Sequence, residues 1–302
     1  MRLRRQTRPA ERQTDSVIAE LLRVRALRRN PNRPPSLRTV DSHSCNLLQI
    51  ARHIAELGIE LRDLDPESST AYLESRVDDL GQKMLDSYRR TLQILHVHIT
   101  GRLAPGERLP RVRSNKPPRS GGRAYTPVQV RLVAAAQKAR NGLATLIAYA
   151  AGLRAHELLT LARPDDRPPD RRPALDSKFR GRPGRDYTVV GKGGLVRLVR
   201  LPEDLAERLE ALRRDAPARI TDRGIHYASR YDLPGGVNWS ASFSGASKRA
   251  LGWTRGGHGL RHSYAQERMR ELQRTLLRAV ALETVSQELG HFRPEITETY
   301  LR

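Results

Sequence analysis

A chain of 302 residues is too long for one small domain and long enough for two, each with its own core. Lys and Arg number 55 against 33 Asp and Glu, a net charge of +22, and so large an excess favours a polyanionic partner whose phosphates relieve the self-repulsion. The single cysteine, Cys45, excludes an intramolecular disulfide, no apolar run approaches the roughly 20 residues needed to span a bilayer, and the Arg-rich N-terminus lacks a signal-peptide core, so a cytoplasmic, nucleoid-associated protein with no membrane partner is expected.

Residues 1–40 hold eleven Arg. Within them residues 15–29 fit one basic amphipathic helix, with Val17, Ile18, Leu21, Leu22, Val24 and Leu27 on or near a stripe. The rest reads as a partly flexible N-terminal arm, either a DNA-backbone contact or a solvated, partner-docking tail. From 41 to 100 apolar residues recur at helical spacing, first Leu47, Ile50, Ala51 and Ile54, then Tyr72, Leu73 and Val77, then Leu85, Leu92 and Leu95. Gly58 and Gly81 break the runs. Arg89 and Arg90 suit backbone contacts to DNA, or equally a solvated helix face. Residues 101–125, rich in Gly, Pro and basic side chains, read as a basic linker.

The second domain is expected to span residues 126–302. Thr126-Pro127-Val128-Gln129 marks a helix start, with Thr as cap, Pro at the first helical position and Gln three residues after the cap. Residues 143–151 form a nearly wholly apolar helix that ends at Gly152 and anchors Arg154. Residues 163–186 read as irregular, with an edge strand around Ser177-Lys178-Phe179. Two strands, 187–190 and 195–199, flank Gly191-Lys192-Gly193-Gly194, a hairpin signal. A helix is expected over 203–214, mostly loop over 221–245, and a short helix over 246–251 whose Lys248 and Arg249 suit DNA contacts. The fold class is therefore mainly α with a small β-sheet.

The chemistry concentrates near the end of the chain. In His258-Gly259-Leu260-Arg261 the His and Arg share one helix face and can grip a single anionic group. Gly290-His291 closes an apolar helical run, and Tyr300 follows on a segment short enough to swing into the same site. A phosphodiester resists attack because its non-bridging oxygens are negative, and Arg154 and Arg261 can each present a planar fork of donors to them. A salt bridge to Glu157 is the plainer reading of Arg154; both hold if Glu157 orients the guanidinium from behind. Tyr300 offers a hydroxyl that can displace one DNA strand and keep the bond energy in a covalent link. A phenol has a pKa of about 10, so a base is needed, and His258 is the candidate. His291 would donate to a non-bridging oxygen, and Lys192 would protonate the leaving oxygen. His156, His262 and Tyr264 read as packing or surface residues. No metal-ligand cluster and no nucleotide-binding glycine loop is present, so no cofactor is implied.

The order Arg154, Lys192, His258-x-x-Arg261, His291, Tyr300 resembles the tyrosine recombinase (phage integrase) family, over roughly residues 124–302 and more loosely 40–100. The resemblance implies a two-domain DNA clamp, a helical, SAM-like core-binding domain plus a catalytic domain. It implies a 3′-phosphotyrosine intermediate and site-specific recombination of double-stranded DNA by an integrase or excisionase of a mobile element. It also implies a homo-tetramer on synapsed sites, a monomer or weak oligomer when free, and an accessory directionality factor. Many relatives carry a second Lys after the hairpin turn; here Leu195 stands there, leaving Lys192. Only Leu301 and Arg302 follow Tyr300, where relatives often continue into a helix that docks on the neighbouring subunit, so either that helix is lost or assembly uses other contacts. The alternatives are topoisomerase IB-like nicking and resealing, or a catalytically inactive DNA-binding protein on the same fold; the presence of all six candidates argues against the latter.

Overall fold

The described residues are mainly helical, with two separate two-stranded sheets among them. The computed structural model describes residues 3–28, 34–117, 121–291 and 293–302, with the side chains of residues 3–8 and of Lys192 outside that description. The chain divides into two units, Met1–Ser120 and Gly121–Arg302. Among the described residues no helix is long and apolar enough to cross a membrane.

The first unit packs α1 (Leu3–Arg23), α2 (Leu37–Ala55), α3 (Pro66–Glu74) and α4 (Gln82–Leu95) around one apolar core. Local chemistry sets the helix starts: Ser36 accepts from Thr39 N, and Asp65 accepts from Ser68 N ahead of Pro66. Two expectations are corrected here. The helix expected over 15–29 instead begins upstream at Leu3 and ends at Arg23, and it buries Ala10, Val17, Ile18 and Leu21 against Leu47, Ile50 and Ile54. Its stripe runs upstream through Ala10 and Thr14, small residues that are hard to see among so many arginines. Nor is 101–125 an extended linker throughout. Leu109 is buried, its N–H donates to Gln93 Oε1 at 2.7 Å, and Gln82 bonds both Val112 O and Ser114 N at 3.0 Å. Residues 118–120 lie outside the described residues.

The second unit begins with α5 (Pro127–Ala135), whose Thr126 and Gln129 form both halves of a capping box, and α6 (Ala139–Ala150). Strands β1 (Arg185–Val190) and β2 (Val196–Leu201) pair antiparallel, with Tyr187 opposite Val199 and Val190 opposite Val196. After α7 (Glu203–Glu210) come the antiparallel strands β3 (Arg213–Asp222) and β4 (Ile225–Tyr231). Helices α8 (Gly236–Leu251), α9 (Gly259–Leu272), α10 (Arg278–Leu289) and the short α11 (Pro294–Glu298) complete the unit. Its main core joins Leu143 and Ile147 of α6, Tyr187 and Val199 of the first sheet, and Trp239 and Phe243 of α8.

Three local expectations differ. The edge strand at 177–179 is a turn, with Phe179 at φ 59°, its N–H donating to Glu288 Oε1 at 2.8 Å. The helix over 203–214 stops at Glu210, and 221–245 is not loop but the end of β3, all of β4 and the first half of α8. Gly, Ser and Asn give the start of α8 weak helix propensity. Burial decides instead: Trp239, Phe243, Ala246 and Ser247 recur at helical spacing and are all buried.

Candidate active site

Gly152 lets α6 end tightly against α9 and α10. Its φ is +59°, and a Cβ there would lie 2.8 Å from Leu289 Cδ2 and 2.9 Å from Tyr264 Cγ. The chain then turns into Arg154, which Glu157 grips twice: the backbone N–H donates to Oε2 at 2.8 Å and Nη1 to Oε1 at 2.7 Å. Glu157 is wholly buried and is held from its other side by Arg197 of β2, whose Nη2 donates to Oε2 at 2.8 Å. Arg197 Nη1 reaches on to Glu288 O at 2.7 Å, so one buried guanidinium joins Glu157 to the end of α10.

Arg261, on the first turn of α9, is also fully buried. Its Nη1 donates to Gly152 O at 2.6 Å, and its Nη2 donates to Leu289 O and to His291 Nε2, the latter at 3.0 Å. A guanidinium only donates, so Nε2 of His291 is the acceptor here and the ring proton sits on Nδ1, which faces Thr297 Oγ1 at 2.8 Å. Gly290 closes α10 in the left-handed region at φ +68° and turns His291 inward.

Short α11 carries Tyr300 back into this cluster, where only 9% of it is exposed. Its ring centroid lies 5.5 Å from that of His258, 4.6 Å from His262 and 5.1 Å from His291. The Arg261 guanidinium carbon lies 5.6 Å from the same centroid. Five of the six residues singled out in sequence, Arg154, His258, Arg261, His291 and Tyr300, thus meet, with Glu157 behind Arg154. Lys192 lies on the β1–β2 hairpin, where Gly191 N donates to Leu195 O at 2.7 Å and Gly193 takes φ +80°; its side chain lies outside the described residues.

The electrostatics favour a bound anion. Burial alone would raise the Glu157 carboxyl, but Arg197, Arg261 and Arg154 outweigh it and hold the group ionised, well below the usual carboxylate range. Burial pushes Arg261 down to about 9 against the pull of Glu157, still protonated at neutral pH. Three guanidiniums therefore face one carboxylate. Burial, then Arg261 and Arg154, lower His291 to about 3; burial, then Arg123, lower His262 to about 4. For His258 the same direction follows from the protein around it and then from Arg261, His262 and Arg154, although its exposed ring lets solvent soften the effect. Near neutral pH the imidazoles of His262 and His291 are therefore uncharged.

The other sequence candidates lie outside this cluster. Arg89 donates to Leu109 O at 3.1 Å within the first unit, and Arg90 is exposed. Lys248 and Arg249 are exposed near the end of α8, Arg249 donating to Ala136 O at 2.8 Å. Tyr264 is buried, its hydroxyl on Glu288 Oε2 at 2.8 Å, whereas His262 sits against Tyr300 rather than in featureless packing. Sequence reasoning missed Arg197 and His262. A signal existed for both: Arg197 shares the inward face of β2 with Val199 and Leu201, and His262 stands one helical turn after His258. Among the described residues no group of His, Cys, Asp and Glu could hold a metal ion.

No family model and no curated protein matches the chain. Solved structures do, across nearly its whole length. A lambda integrase tetramer bound to a Holliday junction covers 95% of this chain and 77% of its own, at 15% identity and a TM-score of 0.62. The Tn1549 transposon integrase in complex with transposon right end DNA covers 96% and 94%, at 14% identity and 0.58. The XerH site-specific recombinase bound to difH substrate covers 97% and 93%, at 16% identity and 0.56. The fold is that of tyrosine recombinases and integrases.

Proposed function

We propose that this chain is a tyrosine-class DNA strand transferase, a site-specific recombinase that integrates or excises a mobile element in double-stranded DNA. The observation that carries the reading is the seating of the Tyr300 phenol among the imidazoles of His258, His262 and His291 and beside the buried guanidinium of Arg261. A hydroxyl with neutral bases and fixed cations around it suits attack on a phosphodiester.

In this reading Arg154 and Arg261 bind the non-bridging oxygens and stabilise the charge that grows on them. The Tyr300 hydroxyl attacks phosphorus while His258 takes its proton. The P–O5′ bond breaks, leaving a 3′-phosphotyrosine and a 5′-oxygen that Lys192 protonates. His291 donates to a non-bridging oxygen, which requires its Nε2 to exchange the bond from Arg261 for a proton of its own. The reverse steps reseal the strand, so no external energy source is consumed. Arg90 and Lys248, both exposed, are proposed contacts to the DNA backbone, with Arg89 and Arg249 beside them. A homo-tetramer on synapsed sites and a directionality factor complete the proposal.

The test is incubation with a pool of nicked duplexes of randomised core sequence, labelled at either end of the cut strand, followed by denaturing electrophoresis. The reading expects a covalent adduct carrying the label upstream of the cut and a free 5′-hydroxyl downstream. Adduct on the opposite end, or none at all, contradicts it.

A further inference from the structure

His258, His262 and Gln266 recur every fourth position from the start of α9 and so share one of its faces. All three meet the segment that carries the nucleophile. His262 comes nearest: its ring centroid is 4.6 Å from that of Tyr300, with the planes inclined by 39°, closer than either His258 or His291. One turn further on, Gln266 Nε2 donates to Tyr300 O at 3.2 Å and to Arg302 O at 3.2 Å. The His262 side chain is 8% exposed, and its Nδ1 finds no hydrogen-bond partner among the described residues. The ring is thus fixed not through that atom but by packing and by a backbone contact to Tyr300.

Resting on the reading of Tyr300 as nucleophile, we propose that His262 and Gln266 are positioning residues. They form a rail along α9 on which the Tyr300 segment is seated, Gln266 fixing the backbone and the flat face of His262 fixing the phenol. Neither needs to exchange a proton with DNA. Their effect is to hold the hydroxyl within the small volume where His258, Arg261 and phosphorus can act on it, and misplacement by about 1 Å can cost on the order of a hundredfold in rate. Ala265 and Met269 of the same helix join Val285, Leu289 and Tyr300 in one apolar cluster.

The experiment compares single-turnover adduct formation on saturating nicked duplex with the dissociation constant for the same DNA, measured separately. His262→Ala and Gln266→Ala should each slow adduct formation about tenfold, and the pair about a hundredfold, on the scale of an aromatic contact and a hydrogen bond. DNA affinity should stay within about twofold, and His262→Phe, which restores the ring face, should recover most of the rate. Gln266 is half-buried, so its substitution leaves the core intact and keeps the test open even if His262→Ala folds poorly. Wild-type rates in both alanine variants would overturn the inference. So would a His262→Phe rate as low as that of His262→Ala, which would make the imidazole's protons rather than its shape the requirement. A parallel loss of DNA affinity in every variant would reduce the role to general structure and overturn it too. If the wild type forms no Tyr300-dependent adduct, the reading of Tyr300 fails first, and that result is distinct from any of these.

Discussion

Arg197 and Glu157 form an ion pair almost out of reach of water: Nη2 lies 2.8 Å from Oε2, with 4% and 0% of the two side chains exposed. The same carboxylate fixes Arg154, so a residue of β2 governs the aim of a guanidinium that follows α6. Removing one partner from such a pair typically costs about 3–5 kcal/mol, because the other is left buried and uncompensated. Arg197→Met should lower stability by about that much in urea denaturation. Glu157→Gln added to it should cost less than the sum of the single losses, by more than ~1 kcal/mol. Strict additivity would mean that the two residues act independently.

Gly152 should tolerate no side chain. Alanine there incurs a left-handed backbone, about 1–2 kcal/mol, and overpacking against Leu289 and Tyr264, about 1–3 kcal/mol. Tyr264 cannot easily yield, since its hydroxyl is tied to Glu288. Gly181, at φ +73° with nothing within 4 Å of where a Cβ would stand, isolates the backbone effect. Gly152→Ala should therefore shift the urea midpoint clearly more than Gly181→Ala; equal shifts would show that close approach is not what the site requires.

Stability should fall with acid before the carboxylates titrate. His262 and His291 have folded-state values of about 4 and about 3, against an ordinary value of about 6.5 in the unfolded chain. Between these limits the unfolded state binds more protons, so the stability is complete above pH ~6.5 and is lost as pH falls toward the folded values. The cost at pH 5 is about 1–2 kcal/mol for each of the two rings. Urea titrations at pH 7 and pH 5 should show the loss, and His262→Phe should reduce it. An unchanged slope in that variant would contradict the burial of a neutral His262.

Much of this was legible in the sequence, and the limits have physical causes. The capping box at Thr126 and Gln129 and the hairpin around Lys192 were readable because their signals are local. The β3–β4 hairpin and the first half of α8 were not, because charged and small residues mask elements that tertiary burial holds in place. The motif order brought Arg154, His258, Arg261, His291 and Tyr300 to attention before any geometry. Arg197 escaped because its partner depends on which strand face meets Glu157, and His262 because its neighbour lies at the far end of the unit's sequence.

Lys192→Ala should slow cleavage of an ordinary phosphodiester by about 10²–10⁴, the usual cost of a missing general acid. A substrate with sulfur in place of the 5′-bridging oxygen should recover most of that loss, since a thiolate leaves without a proton. Arg154→Ala and Arg261→Ala should not be rescued, because their role is on the non-bridging oxygens. Equal defects for Lys192→Ala on both substrates would mean that the proton comes from elsewhere.

The central claim is that Tyr300 becomes covalently joined to DNA. Peptide mapping of the trapped protein–DNA adduct by mass spectrometry tests it most directly. The account predicts the nucleotide mass on the peptide containing Tyr300, and no adduct from Tyr300→Phe although that variant binds DNA with nearly unchanged affinity. Nucleotide on another tyrosine, or adduct persisting in Tyr300→Phe, would contradict it.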